Sequence, residues 1–201
     1  MHLSTSIILA LALTTGQTAA DVRQLYDAGK YREVVETLDQ ATVEADKASR
    51  LRYLAAQSYD KLNDAEAARR TYQRLADIGG EAPWASIGRS AVQLMGKQFD
   101  EALGSADQAV RLAASLPEAH YQRGVVRMAR KEYGDAVDAF TKAVQLDPAF
   151  AAAHYYAGLA NYRAKRIDLM TNHFETFIKL APSAPERPQV ESILRTVRGR
   201  R

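Results

Sequence analysis

The chain is 201 residues long, and alanine and long charged side chains dominate it, whereas glycine and proline are few. No stretch alternates apolar and polar residues as a half-buried β-strand does, so the sequence predicts an all-α protein. The net charge of +3 is the small difference between 27 basic and 24 acidic residues, which alternate along segments such as residues 127–138. This alternation is typical of solvated helix faces and argues against nucleic-acid binding.

The amino end has the features of a cleavable secretory signal. An apolar run, residues 7–13, is followed by a polar stretch that ends in small residues at Ala20, where cleavage is expected. The only basic groups before the run are the terminal amine and His2, with no lysine or arginine, and no cysteine offers a lipid anchor or a disulfide. The run is too short to span a bilayer. We therefore expect a signal peptide at residues 1–20 and a periplasmic or secreted mature chain without an integral membrane segment. The alternative is a cytoplasmic protein with an uncleaved amino end.

After this segment, a pattern of small and bulky residues recurs every 34 residues. It is clearest in residues 117–148, where Gly124 and Ala136 stand where two helices would touch. Apolar residues, most of them bulky, follow on one face of the second helix, at the spacing of a buried stripe. In this repeat they are Tyr133, Phe140, Ala143 and Val144. The next repeat carries the whole pattern, contact and stop residues included, with Gly158, Ile167, Met170, Phe174, Phe177, Ile178 and Pro182. The preceding repeats have Ser90, Phe99, Ala102, Ala106, Ala109 and Val110, then Ala56, Tyr59, Ala65, Ala68, Tyr72 and Leu75, then Gly29, Tyr31, Val34, Leu38 and Ala41.

These residues, at this spacing, resemble those of the tetratricopeptide repeat family, and the exported segment suggests a bacterial-type exported member. The resemblance implies an all-α solenoid of helix-turn-helix units that form a right-handed superhelix. The units are expected at about residues 21–48, 49–82, 83–116, 117–150 and 151–182, with a short first helix at residues 21–30. Gly79 and Gly80 are expected to form a turn between units.

Residues 183–201 are predicted to contain a capping helix and a basic tail. Residues 189–198 place apolar side chains on one face, and this face would cover the exposed edge of the last unit. These side chains are Val190, Ile193, Leu194 and Val197. A helix that binds a partner or an anionic membrane surface is the alternative.

In the family, ligands usually lie along the concave side, which the first helix of each unit lines. The resemblance implies an aromatic and apolar groove there, and aromatic and methionine side chains are typical of binding surfaces. The groove residues are Tyr53, Trp84, Ile87, Tyr121, Met128, Tyr155 and Tyr162. Two alternatives stay open: part of this set is buried between helices, or the chain's own carboxyl-terminal helix fills the groove.

Some family members grip the terminal carboxylate of a chaperone peptide with lysine, asparagine and arginine on this face. The chain lacks these residue types at the matching positions, which are Tyr53, Gln57, Ala91, Tyr121, Val125 and Tyr155. The predicted ligand is instead an extended or helical segment with bulky apolar anchors. Arg127, Arg130 and Arg163 would contact its acidic flanks or belong to solvated faces.

The sequence offers no chemistry for an enzyme, a cofactor or a metal. It has no cysteine nucleophile, glycine-rich phosphate loop, GxSxG elbow or HExxH pair. His120 and His154 take equivalent positions in units whose helices lie roughly 10 Å apart, too far to share a zinc ion, so we expect them to be packing residues. His173 has no obvious partner. The predicted function is a non-enzymatic protein-protein interaction scaffold in the cell envelope or a secretion pathway, with self-association possible. The alternative is a cytosolic adaptor or oligomerisation module.

Overall fold

Eleven α-helices make up the part of the chain that the computed structural model describes, residues 18–40, 45–79 and 81–199, and this part contains no strand. They are α1 (Thr18–Asp27), α2 (Tyr31–Gln40), α3 (Ala45–Lys61), α4 (Ala65–Ala76), α5 (Pro83–Met95), α6 (Phe99–Leu112), α7 (Pro117–Ala129), α8 (Tyr133–Leu146), α9 (Ala151–Arg163), α10 (Ile167–Leu180) and α11 (Arg187–Arg198). Helices α1 to α10 form five pairs, and each pair packs against the next. The predicted all-α solenoid is confirmed. None of the described helices is long and apolar enough to cross a membrane.

The turn inside each pair has the same geometry. Each turn contains one residue with positive φ, and these residues are Gly29 (75°), Asn63 (61°), Lys97 (60°), Lys131 (64°) and Lys165 (61°). In the fourth pair, Lys131 N–H donates to Met128 O at 3.0 Å, and Glu132 N–H donates to Arg127 O at 2.9 Å. The other four turns repeat these two bonds, which define a Schellman helix ending. The same ending explains why α1 stops at Asp27, before Gly29, rather than at residue 30 as predicted.

Within a pair, the two helices meet where the sequence places a small residue. A Cβ atom on Gly124 would lie 2.6 Å from Phe140 Cε1, and one on Gly158 would lie 2.4 Å from Phe174 Cδ1. The rings of the second helix therefore rest directly on the backbone of the first. In the third pair Ser90 replaces the glycine, and its hydroxyl donates to Ala102 O at 2.8 Å. In this pair the buried Ala106 takes the place that Phe140 has in the fourth pair.

Helix α11 caps the solenoid as predicted. Val190 and Leu194 are buried against Met170, Phe174 and Phe177 of the last pair. This contact covers the apolar edge of α10, which has no following repeat. The predicted signal peptide lies mostly outside the described residues, as do Gly80 and the last two arginines.

The stack curls until its beginning touches its end. Lys61, at the end of α3, donates to Glu186 Oε1 at 2.6 Å across a separation of 125 residues. A Cβ atom on Gly29 would lie 2.7 Å from Pro185 Cδ. The concave side of the curl is consequently narrow, and side chains from distant units meet in it.

Candidate functional site on the concave face

The concave face is formed by the first helix of each pair, and its centre is a cluster of aromatic rings. The rings of Tyr53 and Trp84 lie 5.9 Å apart between their centroids. Tyr121 stacks on Phe150 at 5.0 Å and meets Tyr156 edge-on at 5.6 Å. Aromatic pairs at these distances stabilise a packed interior beyond the area that they bury. The centre of the concave face is thus a core.

Four of the seven predicted groove residues belong to this core. Trp84 is 5% exposed and Tyr121 is 2% exposed, while Tyr53 and Ile87 are less exposed still. Their predicted place on an open groove surface is corrected by this burial. The reason is the tight curl, which brings the first helices of neighbouring pairs into mutual contact and interleaves their side chains.

The other three predicted residues remain at least partly accessible. Met128 is half-buried at the end of α7. Tyr155 is half-buried too, and its ring packs on Phe177 of α10 at 5.2 Å. Tyr162 is 43% exposed and faces a cleft of about 510 Å³ against α11. Met128 also packs against the aromatic core, and the Tyr155 ring lies 5.2 Å from that of Tyr156. The role of all three residues in binding remains a prediction.

The segment that covers the concave face is α1, and not the carboxyl-terminal helix. Val22 and Tyr26 of α1 are buried, and Ala152 of α9 packs against their cluster. Arg23 of α1 forms an ion pair with Asp147 at the end of α8. Its guanidinium carbon also lies 4.4 Å from the centroid of the Phe150 ring. Helix α1 therefore bridges its own unit and the fourth and fifth units.

Glu118 is the most deeply buried charge on this face. It is 2% exposed and accepts a hydrogen bond from Arg50 Nε at 2.7 Å. Arg23 Nη2 lies 3.6 Å from the same carboxylate oxygen. Two guanidinium groups compensate the loss of hydration that a single buried carboxylate would suffer. The position of Glu118 in the first turn of α7 adds the favourable field of the helix dipole.

A chain of polar groups runs beneath the aromatic rings. Tyr53 Oη donates to Gln122 Oε1 at 3.2 Å, and Gln122 Nε2 donates to Ser90 Oγ at 3.2 Å. The Ser90 hydroxyl in turn donates to Ala102 O, so these hydrogen bonds connect three units. Burial raises the pKa of Tyr53 and of Tyr121 well above the usual value for a phenol. Both side chains are therefore neutral at physiological pH.

Where the end of α1 meets the end of the solenoid, a small cavity holds several ionisable groups. Asp27, Tyr31, Lys61 and Glu186 line it together with Tyr26. Burial raises the pKa of Asp27 to about 7, and the charge of Arg23 acts in the opposite direction. Near neutral pH the Asp27 side chain is therefore partly protonated, and a neutral carboxyl group costs less free energy to bury than a charged carboxylate.

The open part of the concave face lies at the carboxyl-terminal ends of the first helices. A cavity of about 120 Å³ is formed there, with Gln57 and Asp60 of α3, Leu94 and Met95 of α5 and Val125 of α7 among its lining residues. Of these, Asp60 is exposed and the others are half-buried. Apolar and polar side chains share this mouth, which continues into the aromatic core.

The histidines pack as the repeat predicts, with one correction. His120 Nε2 donates to Ala114 O at 2.9 Å, and His154 Nε2 donates to Pro148 O at 3.1 Å, which are equivalent bonds. Because a carbonyl only accepts, neutral His154 carries its proton on Nε2 and its Nδ1 is free to accept from His173 Nδ1, 3.2 Å away. His173 therefore has a partner. Burial, followed by the charge of His154, lowers the pKa of His173 to about 4.

No group of three or more metal-ligating side chains is present among the described residues. Arg127 and Arg130, which the sequence offered for a ligand's acidic flanks, are both paired within the chain. Arg127 Nη1 lies 3.1 Å from Asp135 Oδ2, and Arg130 Nε donates to Glu132 Oε1 at 2.7 Å. Both arginines therefore already have intramolecular partners.

Sequence reasoning missed Arg23, Glu118 and Asp147. No local pattern connects them, because Arg23 and Asp147 are 124 residues apart. The 34-residue spacing does carry a signal for Arg23. It takes the place of Gln57, Ala91 and Val125 in the later repeats, and that place faces the mouth of the groove.

Comparisons with known proteins give the same architecture. Residues 21–83 and residues 117–150 each match a family model described as tetratricopeptide repeat. A comparison with curated proteins gives no match.

Among solved structures, the chain is similar to TTC0263, a thermophilic TPR protein in Thermus thermophilus. The two are 19% identical over 90% of this chain and 99% of that one, with a TM-score of 0.63. It is also similar to YrrB, described as a TPR protein with an unusual peptide-binding site. The two are 18% identical over 94% of this chain and 97% of that one, with a TM-score of 0.53. The first TPR of Spaghetti (RPAP3), bound to an HSP90 peptide, has 15% identity, coverage of 58% and 96%, and a TM-score of 0.53. At these identities the likeness concerns the fold.

Proposed function

Because the chain belongs to the tetratricopeptide repeat family, we propose that it is a non-enzymatic scaffold that holds a peptide or helix of another protein on its concave face. The observation that carries this proposal is the mouth, where Leu94, Met95 and Val125 give a ligand access to the aromatic core. Half-buried methionine and aliphatic side chains offer adaptable contact area to a peptide. YrrB and the Spaghetti domain are described with peptides or peptide-binding sites, which supports the same use of this fold.

The apolar side chains of the mouth, Leu94, Met95 and Val125, favour a ligand with bulky apolar anchors over one held by a terminal carboxylate. The concave positions Gln57, Ala91 and Val125 carry no positive charge, and Lys61, which also lines the mouth, pairs with Glu186. Such a ligand gains most of its affinity from a few large side chains that fill apolar recesses.

We further propose that the scaffold works in the cell envelope or in a secretion pathway. The support is the signal-like segment of residues 1–20. Cleavage after Ala20 would leave Arg23 and Tyr26 in place, so the contacts of α1 described above would be retained. Sequencing of the amino end of the mature protein tests this part: Asp21 as first residue is expected, and Met1 would favour the cytosolic adaptor instead.

Photo-crosslinking in the source cells tests the binding face. A photoreactive residue at Val125, in the mouth, is compared with one at Lys142, which lies exposed on the second helix of the same unit. We expect a defined protein adduct from position 125 and none from position 142. Equal adducts from both positions, or an adduct from position 142 alone, would contradict a concave binding face.

A further inference from the structure

Helix α1 is bound less closely to its own partner helix than the repeat pattern requires. The residue at the helix contact is Gly124 in the fourth unit and Gly158 in the fifth, but the equivalent residue in α1 is Val22. A β-branched side chain at this place prevents the close approach that the glycines permit. Helix α1 instead makes charged contacts across the concave face, with Glu118 and Asp147 of the fourth unit.

Glu118, Asp147 and Phe150 contact the guanidinium group of Arg23, and these three residues are called the cation cradle here. Arg23 contributes its guanidinium group to both carboxylates and to the face of the ring. Glu118 keeps a second partner in Arg50, whereas Arg23 is the cation paired with Asp147. Asp147 stands at the carboxyl-terminal end of α8, where the helix dipole disfavours a negative charge. The cradle thus binds a cation that comes from another segment of the chain.

We propose that α1 is an intramolecular ligand of the concave face, and that the partner is a helix presenting an arginine followed three residues later by an aromatic residue. This inference rests on the proposed function and specifies its ligand. Residues three apart lie on the same face of a helix, as Arg23 and Tyr26 do in α1. Guanidinium groups suit the cradle because they pair with carboxylates and stack on aromatic faces at the same time. The partner displaces α1 and takes over its contacts.

The buried position of Tyr26 explains the aromatic requirement. Tyr26 is 8% exposed, and its ring lines the 120 Å³ cavity together with Tyr72, Tyr121 and Tyr156. A partner helix that enters through the mouth of this cavity would contact the same three rings. An aromatic side chain fills the space that Tyr26 vacates, whereas a small one leaves a void.

The test uses the full chain and a fluorescent peptide with the sequence of residues 18–30, followed by anisotropy. We expect the unchanged chain to bind this peptide weakly, since its own α1 competes. Arg23→Gln in the chain should strengthen binding at least tenfold, because α1 then loses its hold on the cradle. Adding Asp147→Asn to that variant, or placing Arg23→Gln in the peptide instead, should weaken binding about tenfold. Arg198→Gln, which removes an exposed arginine paired with Glu175, is the matched control and should bind as the unchanged chain does.

Hydrogen exchange on the unchanged chain gives a second measurement that depends on no variant. Saturating peptide should speed exchange at the amides of α1 and slow it at the end of α8. Equal peptide affinity for the unchanged chain and Arg23→Gln would overturn the inference. An exchange rate at the α1 amides that does not change when the peptide is added would overturn it too. None of these results affects the crosslinking from position 125, so the proposed function fails or stands separately.

Discussion

Substitution of Gly88 by alanine should weaken the interface between the second and third units. A Cβ atom at this position would lie 2.5 Å from Ala76 N and 2.8 Å from Tyr72 O. Both are backbone atoms of α4, so no side chain can rotate away. Because non-bonded atoms prefer about 3.5–4.0 Å, α5 would have to move roughly 1 Å from α4. The contact of the two units would open by that amount.

The matched control is Gly104→Ala on α6, where nothing lies within 4 Å of the added methyl group. Alanine is favoured over glycine in a helix by about 1 kcal/mol, and both variants gain this. An overpacked interface costs about 1–3 kcal/mol, and the rigid contact at Gly88 places the cost at the upper end. We therefore expect Gly88→Ala to lose about 2 kcal/mol and Gly104→Ala to gain about 1 kcal/mol of unfolding free energy.

For a chain of this length, each kcal/mol shifts the melting temperature by about 2–4 °C. Gly88→Ala should thus melt about 4–8 °C lower than the unchanged chain, and Gly104→Ala about 2–4 °C higher. Urea denaturation followed by circular dichroism measures the free energies. Trp84 is the only tryptophan and lies one turn before Gly88, so its fluorescence reports this interface directly. A Gly88→Ala protein as stable as the unchanged chain would refute the proposed backbone contact.

Two further predictions concern the aromatic core and the histidine pair. Tyr121→Ala should lose about 3–5 kcal/mol of stability, as removal of a buried ring does, while the exposed Tyr162→Ala should change it by less than about 1 kcal/mol. Similar losses in urea denaturation for both would mean that Tyr121 is not core. The folded pKa of His173, about 4, lies below its ordinary value of about 6.5. Its contribution to stability is therefore present above pH 6.5 and lost as the pH falls towards 4. His173→Gln should flatten this loss, and parallel pH curves would contradict the assignment.

The close helix contacts could be predicted because they depend on residues near one another in the chain. A helix presents residues three and four apart on one face, so the recurring positions of Gly124, Phe140 and Phe174 were enough to predict paired helices. The cap could be predicted for the same reason, since Val190 and Leu194 share a face. The turn residues Lys97, Lys131 and Lys165 were harder to predict. In the sequence, a lysine at positive φ cannot be distinguished from any other exposed lysine.

The sequence by itself therefore determined the helices, their pairing and the order of the units. Only the tertiary structure decided how far the stack curls, and with it whether Tyr53 and Tyr121 line a groove or a core. The physical reason is that each interface rotates one unit slightly against the next, and the rotations add along the stack. At the interface of the second and third units, the backbone contact at Gly88 fixes how closely the two units approach. The sum of the rotations brings Arg23 to Asp147, a contact that no pattern within one repeat contains.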